Sequence, residues 1–218
     1  MNYRRVNSDV PNSPYAPYWD YTIGSVLTQG IDLHLLSKTC LDKEKEIKKL
    51  PIQRLNGRVR DGYTGLGKSS TTAKFLSYNV LKWNTRETNK LKSNIATALN
   101  EYNTYLKNPT VPVWIHCWVN ILRWGQSIKP HFHQYNSVSY LSGHFNVQVQ
   151  DTSTCYMSPI NQLNDPYIID KPNIPGELTL FPSYIFHYTT KHYSFKPRIT
   201  IAFDMTLNRA HSDSSILL

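Results

Sequence analysis

Between Trp114 and Trp124 two kinds of side chain alternate. Ile115, Cys117, Val119, Ile121 and Arg123 hold odd positions, against Trp114, His116, Trp118, Asn120, Leu122 and Trp124 at even ones. Tyr140 to Gln150 repeats the pattern, with Leu141, Gly143, Phe145, Val147 and Val149 set against Tyr140, Ser142, His144, Asn146, Gln148 and Gln150. A period of two belongs to a strand whose successive side chains leave opposite faces. Each run should therefore bury an aliphatic face and turn an aromatic and polar face elsewhere, either to solvent at a barrel mouth or into a pocket.

The rest of the carboxyl-terminal half reads the same way. Strands are expected at Val111–Trp124, Ile128–Tyr135, Val138–Gln150, Glu177–Phe181 and Arg198–Leu207, separated by turn residues. Ahead of them the period changes. Leu91, Ile95, Leu99, Tyr102 and Leu106 recur at helical spacing, and Asn108-Pro109 ends that helix. An earlier helix should begin near Ile31 and run into the alternating charges of Asp42 to Lys49, a solvated stretch that needs no partner. Met1 to Asp20, with prolines at 11, 14 and 17, reads as an irregular arm lying on the body. Helices followed by strands predict a mainly β fold with buttressing helices (α+β), a jelly roll or cupin-like barrel. At 218 residues a single domain is expected: residues 1–110 as arm and buttress, 111–207 as the β core and 208–218 as a polar tail.

The candidate chemistry sits inside that core. His131 and His133 are two apart in an extended run, so in a strand both imidazoles reach one ion, and His187, after the strand Glu177–Phe181, would add a third from a neighbouring strand. Arg198 and Thr200 share a face of the last long strand, and a guanidinium beside a hydroxyl suits a carboxylate. A lone histidine is more often a hydrogen-bonded core or surface residue, which is the expectation for His34, His116, His192 and His211. His144 stands between the two cases as a replacement ligand.

Six segments carry a family resemblance: Asp61-Gly62-Tyr63-Thr64-Gly65-Leu66-Gly67, Tyr78–Trp83, Cys117–Leu122, Pro130-His131-Phe132-His133, Leu141-Ser142-Gly143-His144 and Gly176–Ser183. Together they resemble the 2-oxoglutarate- and Fe(II)-dependent oxygenase-like proteins common in marine bacteriophages, from about Asp61 to Phe203. The resemblance implies a double-stranded β-helix, Fe(II) as metal with 2-oxoglutarate and O2 as co-substrates, His131, His133 and His187 as ligands, and hydroxylation of a substrate it does not name. It also implies Arg198 with Thr200 as the 2-oxoglutarate anchor; if the polar rows of the two alternating strands line a pocket and do not face solvent, Asn120 and Tyr140 would lie near the co-substrate. The chain departs from the wider superfamily at one ligand. A carboxylate usually follows the first histidine by two residues, and here that position is His133. Two other readings follow: a barrel of the same ancestry without turnover, serving as a structural or binding module in a phage particle, and a metal-binding cupin in which Arg198 has no special part.

Composition narrows the setting. The chain carries 24 Lys+Arg against 15 Asp+Glu, a formal charge of +9, which favours acidic partners such as a dicarboxylate or nucleic acid. Three unpaired cysteines argue against a disulfide scaffold and for a reducing compartment, the cytoplasm of a host cell if the chain is phage-encoded, with a virion as the other setting. No apolar run is long enough for a membrane span or a signal core. Gly62 to Ser69 reads G-Y-T-G-L-G-K-S and matches a phosphate-binding loop letter for letter. The stretch before it is polar and no parallel β-α alternation follows, so a structural turn is expected, with Lys68 binding no nucleotide.

Overall fold

The computed structural model describes all residues except 53, 56–57, 60–63, 134–136 and 210–213. In chain order the elements are β1 (Asn2–Asn7), β2 (Asp20–Leu27), α1 (Leu33–Ile47), β3 (Arg54–Leu55), β4 (Arg58–Val59), two 3-10 turns (Thr72–Ser77 and Val80–Trp83) and α2 (Arg86–Leu106). There follow β5 (Trp114–Leu122), β6 (Ser139–Gln148), β7 (Ser153–Met157), β8 (Ile168–Pro172), β9 (Glu177–Pro182), β10 (Phe186–Thr189), β11 (Arg198–Thr206) and β12 (Ile216–Leu217). Seven strands form one sheet in the order β1-β2-β9-β6-β11-β5-β12, and a smaller sheet runs β10-β7-β8. All these pairings are antiparallel. None of the described helices is long and apolar enough to cross a membrane.

The alternating runs explain the layering. β5 and β6 flank β11, with Ile201 opposite Val119 on one side and Phe145 on the other. Ile115, Cys117, Val119, Phe145, Val147, Ile201 and Phe203 pack with Leu36 and Cys40 of α1 and with Leu91, Ile95, Leu99 and Tyr102 of α2. That is the aliphatic face. The other face of the large sheet turns toward the small one, and a second apolar cluster (Trp19, Tyr21, Ile23, Tyr156, Ile169, Phe181, Ile185) joins them at one side. The polar rows therefore look into the space between two sheets, not into solvent.

Both helices are fixed at their ends. The Asp32 carboxylate accepts the Leu35 amide (3.0 Å), and Thr85 and Thr88 form a reciprocal cap on α2. α2 stops at Lys107, in the left-handed region at φ 56°, just before Asn108-Pro109.

Four expectations need correction. The amino-terminal arm is partly an edge strand, since β1 pairs with β2 from Asn2↔Ser25 to Asn7↔Asp20. Its prolines all lie in the connector that follows, where they cost no ladder bond. The carboxyl-terminal tail ends in β12, which adds to β5 through Ile216↔Ile115. The charged end of α1 does find partners: Glu44 is buried and binds Lys48 (2.8 Å) and Arg123 (2.7 Å). Finally, the described part of the strand expected over Ile128–Tyr135, residues 128–133, is not a regular strand. It makes one bridge, His131↔His187, and Pro130 has no amide to extend it.

Gly143 shows how closely the strands on either side of β6 approach it. A Cβ there would lie 2.4 Å from the Thr179 carbonyl oxygen of β9 and 2.4 Å from the Phe203 ring of β11. Because one obstacle is backbone, Gly143→Ala should destabilise the fold by about 1 to 3 kcal/mol, read as a lower denaturant midpoint. An unchanged midpoint would show that these strands have slack.

Candidate metal centre

His131 and His187 face each other across the isolated bridge, each donating its backbone amide to the other's carbonyl (3.0 and 2.9 Å). His133 is held by its own amide, which donates to the Ser183 carbonyl (2.9 Å). These bonds bring three rings together, with centroids 4.4 Å (His131–His187), 4.9 Å (His133–His187) and 5.0 Å (His131–His133) apart. One ring nitrogen from each lies within 4.8 Å of the other two. The grouping is reached without the strand expected over 128–135.

Each ring is oriented from behind. Nδ1 of His131 contacts the Lys129 carbonyl (2.9 Å), Nδ1 of His187 the Ile185 carbonyl (3.0 Å) and Nδ1 of His133 the Asp204 carboxylate (2.5 Å). Carbonyls and carboxylates only accept, so Nδ1 carries the proton in each case and Nε2 keeps a lone pair. Burial, helped by the neighbouring imidazole of His133, lowers His131 to about 3, and burial with the same neighbours holds His187 well below its ordinary value. At neutral pH His131 and His187 are therefore uncharged donors, as a metal site requires.

Asp204 was not found from the sequence. It occupies the same face of β11 as Arg198 and Thr200, and its Oδ1 also accepts the Ser142 hydroxyl (2.7 Å). The signal was present as the one charged residue in the run Ile199–Met205. Its partner His133, 71 positions away, could not be inferred.

At the other end of the pocket lies Arg198, 1% exposed. Its Nε donates to Thr152 Oγ1 (3.2 Å) and its Nη1 to Thr200 Oγ1 (3.4 Å). No carboxylate among the described residues pairs with it. Burial lowers it to about 10, so the guanidinium stays charged at neutral pH. A buried cation without a counter-ion costs several kcal/mol. Nearby, His144 contacts the Tyr156 hydroxyl (3.1 Å) and Asn146 Oδ1 (3.2 Å), while Asn146 Nδ2 and Thr179 Oγ1 are buried without a hydrogen bond among the described residues. The pocket thus ends in a cation that no carboxylate among the described residues offsets, with the partnerless atoms of Asn146 and Thr179 outside its lining. Phe75, Trp118, Ile128 and Phe181 line its walls.

The remaining candidates divide. Asn120 lines the pocket and accepts the Thr72 hydroxyl (2.6 Å). Tyr140 does not: its hydroxyl donates to Asn103 of α2 (3.0 Å). The β6–β11 register slips between Asp204 and Thr206, so the pocket-facing row is broken before Tyr140 is reached. His144 lines the pocket with both nitrogens engaged, outside the cluster of three. His116 is buried against the Phe75 carbonyl, His192 binds the Lys196 carbonyl, His34 is exposed, and His211 lies outside the described residues. Lys68 is exposed on a turn leading to the 3-10 turn Thr72–Ser77, and the start of its glycine-rich segment, Gly62-Tyr63, lies outside the described residues.

Comparison with known proteins follows the geometry. A family model described as "Putative 2OG-Fe(II) oxygenase" matches residues 116–204, the stretch from β5 to β11 that contains all three histidines, Arg198 and Asp204. No curated protein matches the chain. Among solved structures, a non-heme alpha-ketoglutarate-dependent carbocyclase, SnoK of nogalamycin biosynthesis, is similar over 84% of this chain and 79% of its own, at 10% identity and a TM-score of 0.53. A prolyl hydroxylase from Trichoplax adhaerens, in complex with a hypoxia-inducible-factor peptide, is similar over 84% of this chain and 83% of its own, at 14% identity and a TM-score of 0.50. The fold is therefore the double-stranded β-helix. Fe(II) with 2-oxoglutarate, the pair that the matching family's description names, fits the donor set and the unpaired guanidinium found here.

Proposed function

We propose that the protein is a 2-oxoglutarate- and Fe(II)-dependent oxygenase that hydroxylates its substrate. The observation that carries this reading is Arg198, a buried cation without a carboxylate partner among the described residues, in the same pocket as three clustered imidazoles whose Nδ1 atoms are engaged from behind. The matched family and the fold support it.

His131, His133 and His187 would hold the iron through Nε2. Arg198, with Thr200 and Thr152 beside it, would bind the distal carboxylate of 2-oxoglutarate and so fix its keto-acid end toward the histidines. Iron held there supplies oxygen activation coupled to oxidative decarboxylation: 2-oxoglutarate leaves as succinate and CO2, and one oxygen atom enters a C–H bond of the substrate. The apolar walls exclude water, and the acceptors behind each Nδ1 keep the rings aimed.

His133 stands where the usual triad has a carboxylate, and Asp204 lies directly behind it. The negative charge is thus moved one hydrogen bond back from the ligand position, where it fixes the orientation of the His133 ring. Asp204→Asn removes that charge and should weaken Fe(II) or Mn(II) binding by roughly 10- to 100-fold in a chelator competition titration. Equal affinity would mean that Asp204 serves only the packing around Ser142.

The reading itself is tested by adding Fe(II) and then 2-oxoglutarate to the protein without oxygen. A visible charge-transfer band that saturates with 2-oxoglutarate is expected. No band, together with no heat on titrating 2-oxoglutarate into the Mn(II)-loaded protein, would overturn it in favour of a barrel without turnover.

A further inference from the structure

Three large aromatic side chains stand exposed together where β5 gives way to the loop before Pro130. Trp124 stacks on Phe195 (centroids 5.1 Å, 23° between planes) and meets Tyr193 edge-on (5.6 Å, 71°). Trp124 is 56% exposed, Phe195 94% and Tyr193 60%. Single exposed apolar residues need no explanation, but Tyr193 and Phe195 both packed on Trp124 form a patch of the kind that marks a binding surface.

The patch is held in place. The Gly125 amide donates to the His192 carbonyl (2.7 Å), and the His192 amide donates to the Gln126 carbonyl (2.9 Å). The buried His192 ring binds the Lys196 carbonyl (2.7 Å), which closes the loop on which Tyr193 and Phe195 sit. Preorganisation of this kind lowers the entropy lost on binding.

Charge selects the partner. Residues 123–130 and 189–197 contain Arg123, Lys129, Lys191 and Lys196 and no acidic residue. Arg123 is paired with Glu44, whereas Lys191 and Lys196 are exposed and in no ion pair among the described residues. We propose that Trp124, Tyr193 and Phe195, flanked by Lys191 and Lys196, form a stacking platform for single-stranded nucleic acid. Open aromatic faces take bases, and unpaired ammonium groups take phosphates. A duplex hides its base faces from such a platform, and a neutral sugar or apolar peptide leaves the lysines unused.

The platform continues into the pocket wall. The two segments that carry it run on through the Ile128–Thr189 contacts to the His131–His187 bridge. Tyr193 lies six residues beyond His187, at most about 20 Å along an extended chain. A bound strand of the length that such surfaces ordinarily hold, about 4 to 16 nucleotides, can reach from the platform to the pocket mouth.

The test is anisotropy of a fluorescein-labelled twelve-residue oligothymidylate titrated with the full chain, without iron or 2-oxoglutarate, so its outcome is separate from the oxygenase reading. Binding should weaken with salt. Phe195→Ala and Trp124→Ala should each weaken it by roughly 5- to 100-fold. Replacing Lys191 and Lys196 together by alanine should make the log–log salt slope shallower by about 1.4, near 0.7 for each phosphate no longer neutralised. Circular dichroism of the variants checks that they are folded. No binding at about 50 mM salt, equal affinity for the matching duplex, or unchanged affinity in Phe195→Ala would each overturn the proposal. So would a concentration-dependent dimer abolished by Phe195→Ala, since that would assign the patch to a second copy of the chain.

Discussion

His187→Ala is expected to abolish the metal site while leaving the fold intact. His187 supplies one of the three clustered imidazoles, and its ring is the nearer partner of both His131 (4.4 Å) and His133 (4.9 Å). Without it, two donors remain, and their Nδ1 partners at Lys129 and Asp204 cannot move into the gap. Metal binding to the native state adds stability by linkage, about 2.7 kcal/mol at a metal concentration one hundred times Kd. For a chain of this size that corresponds to a rise of roughly 5 to 10 °C in Tm. Wild type should show that rise with Fe(II) or Mn(II), and His187→Ala should show none, along with no charge-transfer band and no turnover. The metal-free Tm should fall, because truncating the buried ring leaves a cavity beside Phe181 and Tyr156 and the Ile185 carbonyl without its donor, so each form is compared with its own metal-free Tm. A full metal-induced rise in His187→Ala would place the ion elsewhere.

What the sequence revealed and what it hid have physical causes. The period-two rows of β5, β6 and β11 could be read because each has an apolar face against the helices, and this placed Arg198 and Thr200 together. It could not tell whether the opposite rows met solvent or a pocket, since that depends on the small sheet. The small sheet was hidden: β7, β8 and β10 are four or five residues long, and β8 mixes Asp170, Lys171 and Pro172 into its pattern. β1 was missed because an edge strand tolerates the polar residues that elsewhere read as a loop. His131 and His133 were paired on strand geometry that the structure does not have; their convergence comes from the bridge to His187 and from the bond to Ser183. Tyr140 was lost to a register slip, which no one-strand pattern can show. Asp204 required knowing which strand lies behind His133.

Arg198→Ala should weaken 2-oxoglutarate binding by about 30- to 150-fold, the equivalent of the 2 to 3 kcal/mol expected for a charge-assisted contact to a carboxylate. Metal affinity should hold, because the residues that orient the three histidines are Lys129, Ile185 and Asp204, none of which touches the guanidinium. Stability is also expected to hold in part: truncation leaves a cavity, but it removes a buried charge that no carboxylate among the described residues offsets. Arg198→Lys separates charge from shape. An ammonium keeps the positive end of the pocket but reaches the carboxylate with one prong, so affinity should fall between wild type and alanine. The measurement is calorimetric titration of 2-oxoglutarate into Mn(II)-loaded protein for all three forms. Succinate and glutarate in parallel show whether the distal carboxylate is the group recognised: both should compete in wild type and lose that ability in Arg198→Ala. Equal 2-oxoglutarate affinity in wild type and Arg198→Ala would move the anchor away from Arg198 and leave the buried cation without a function.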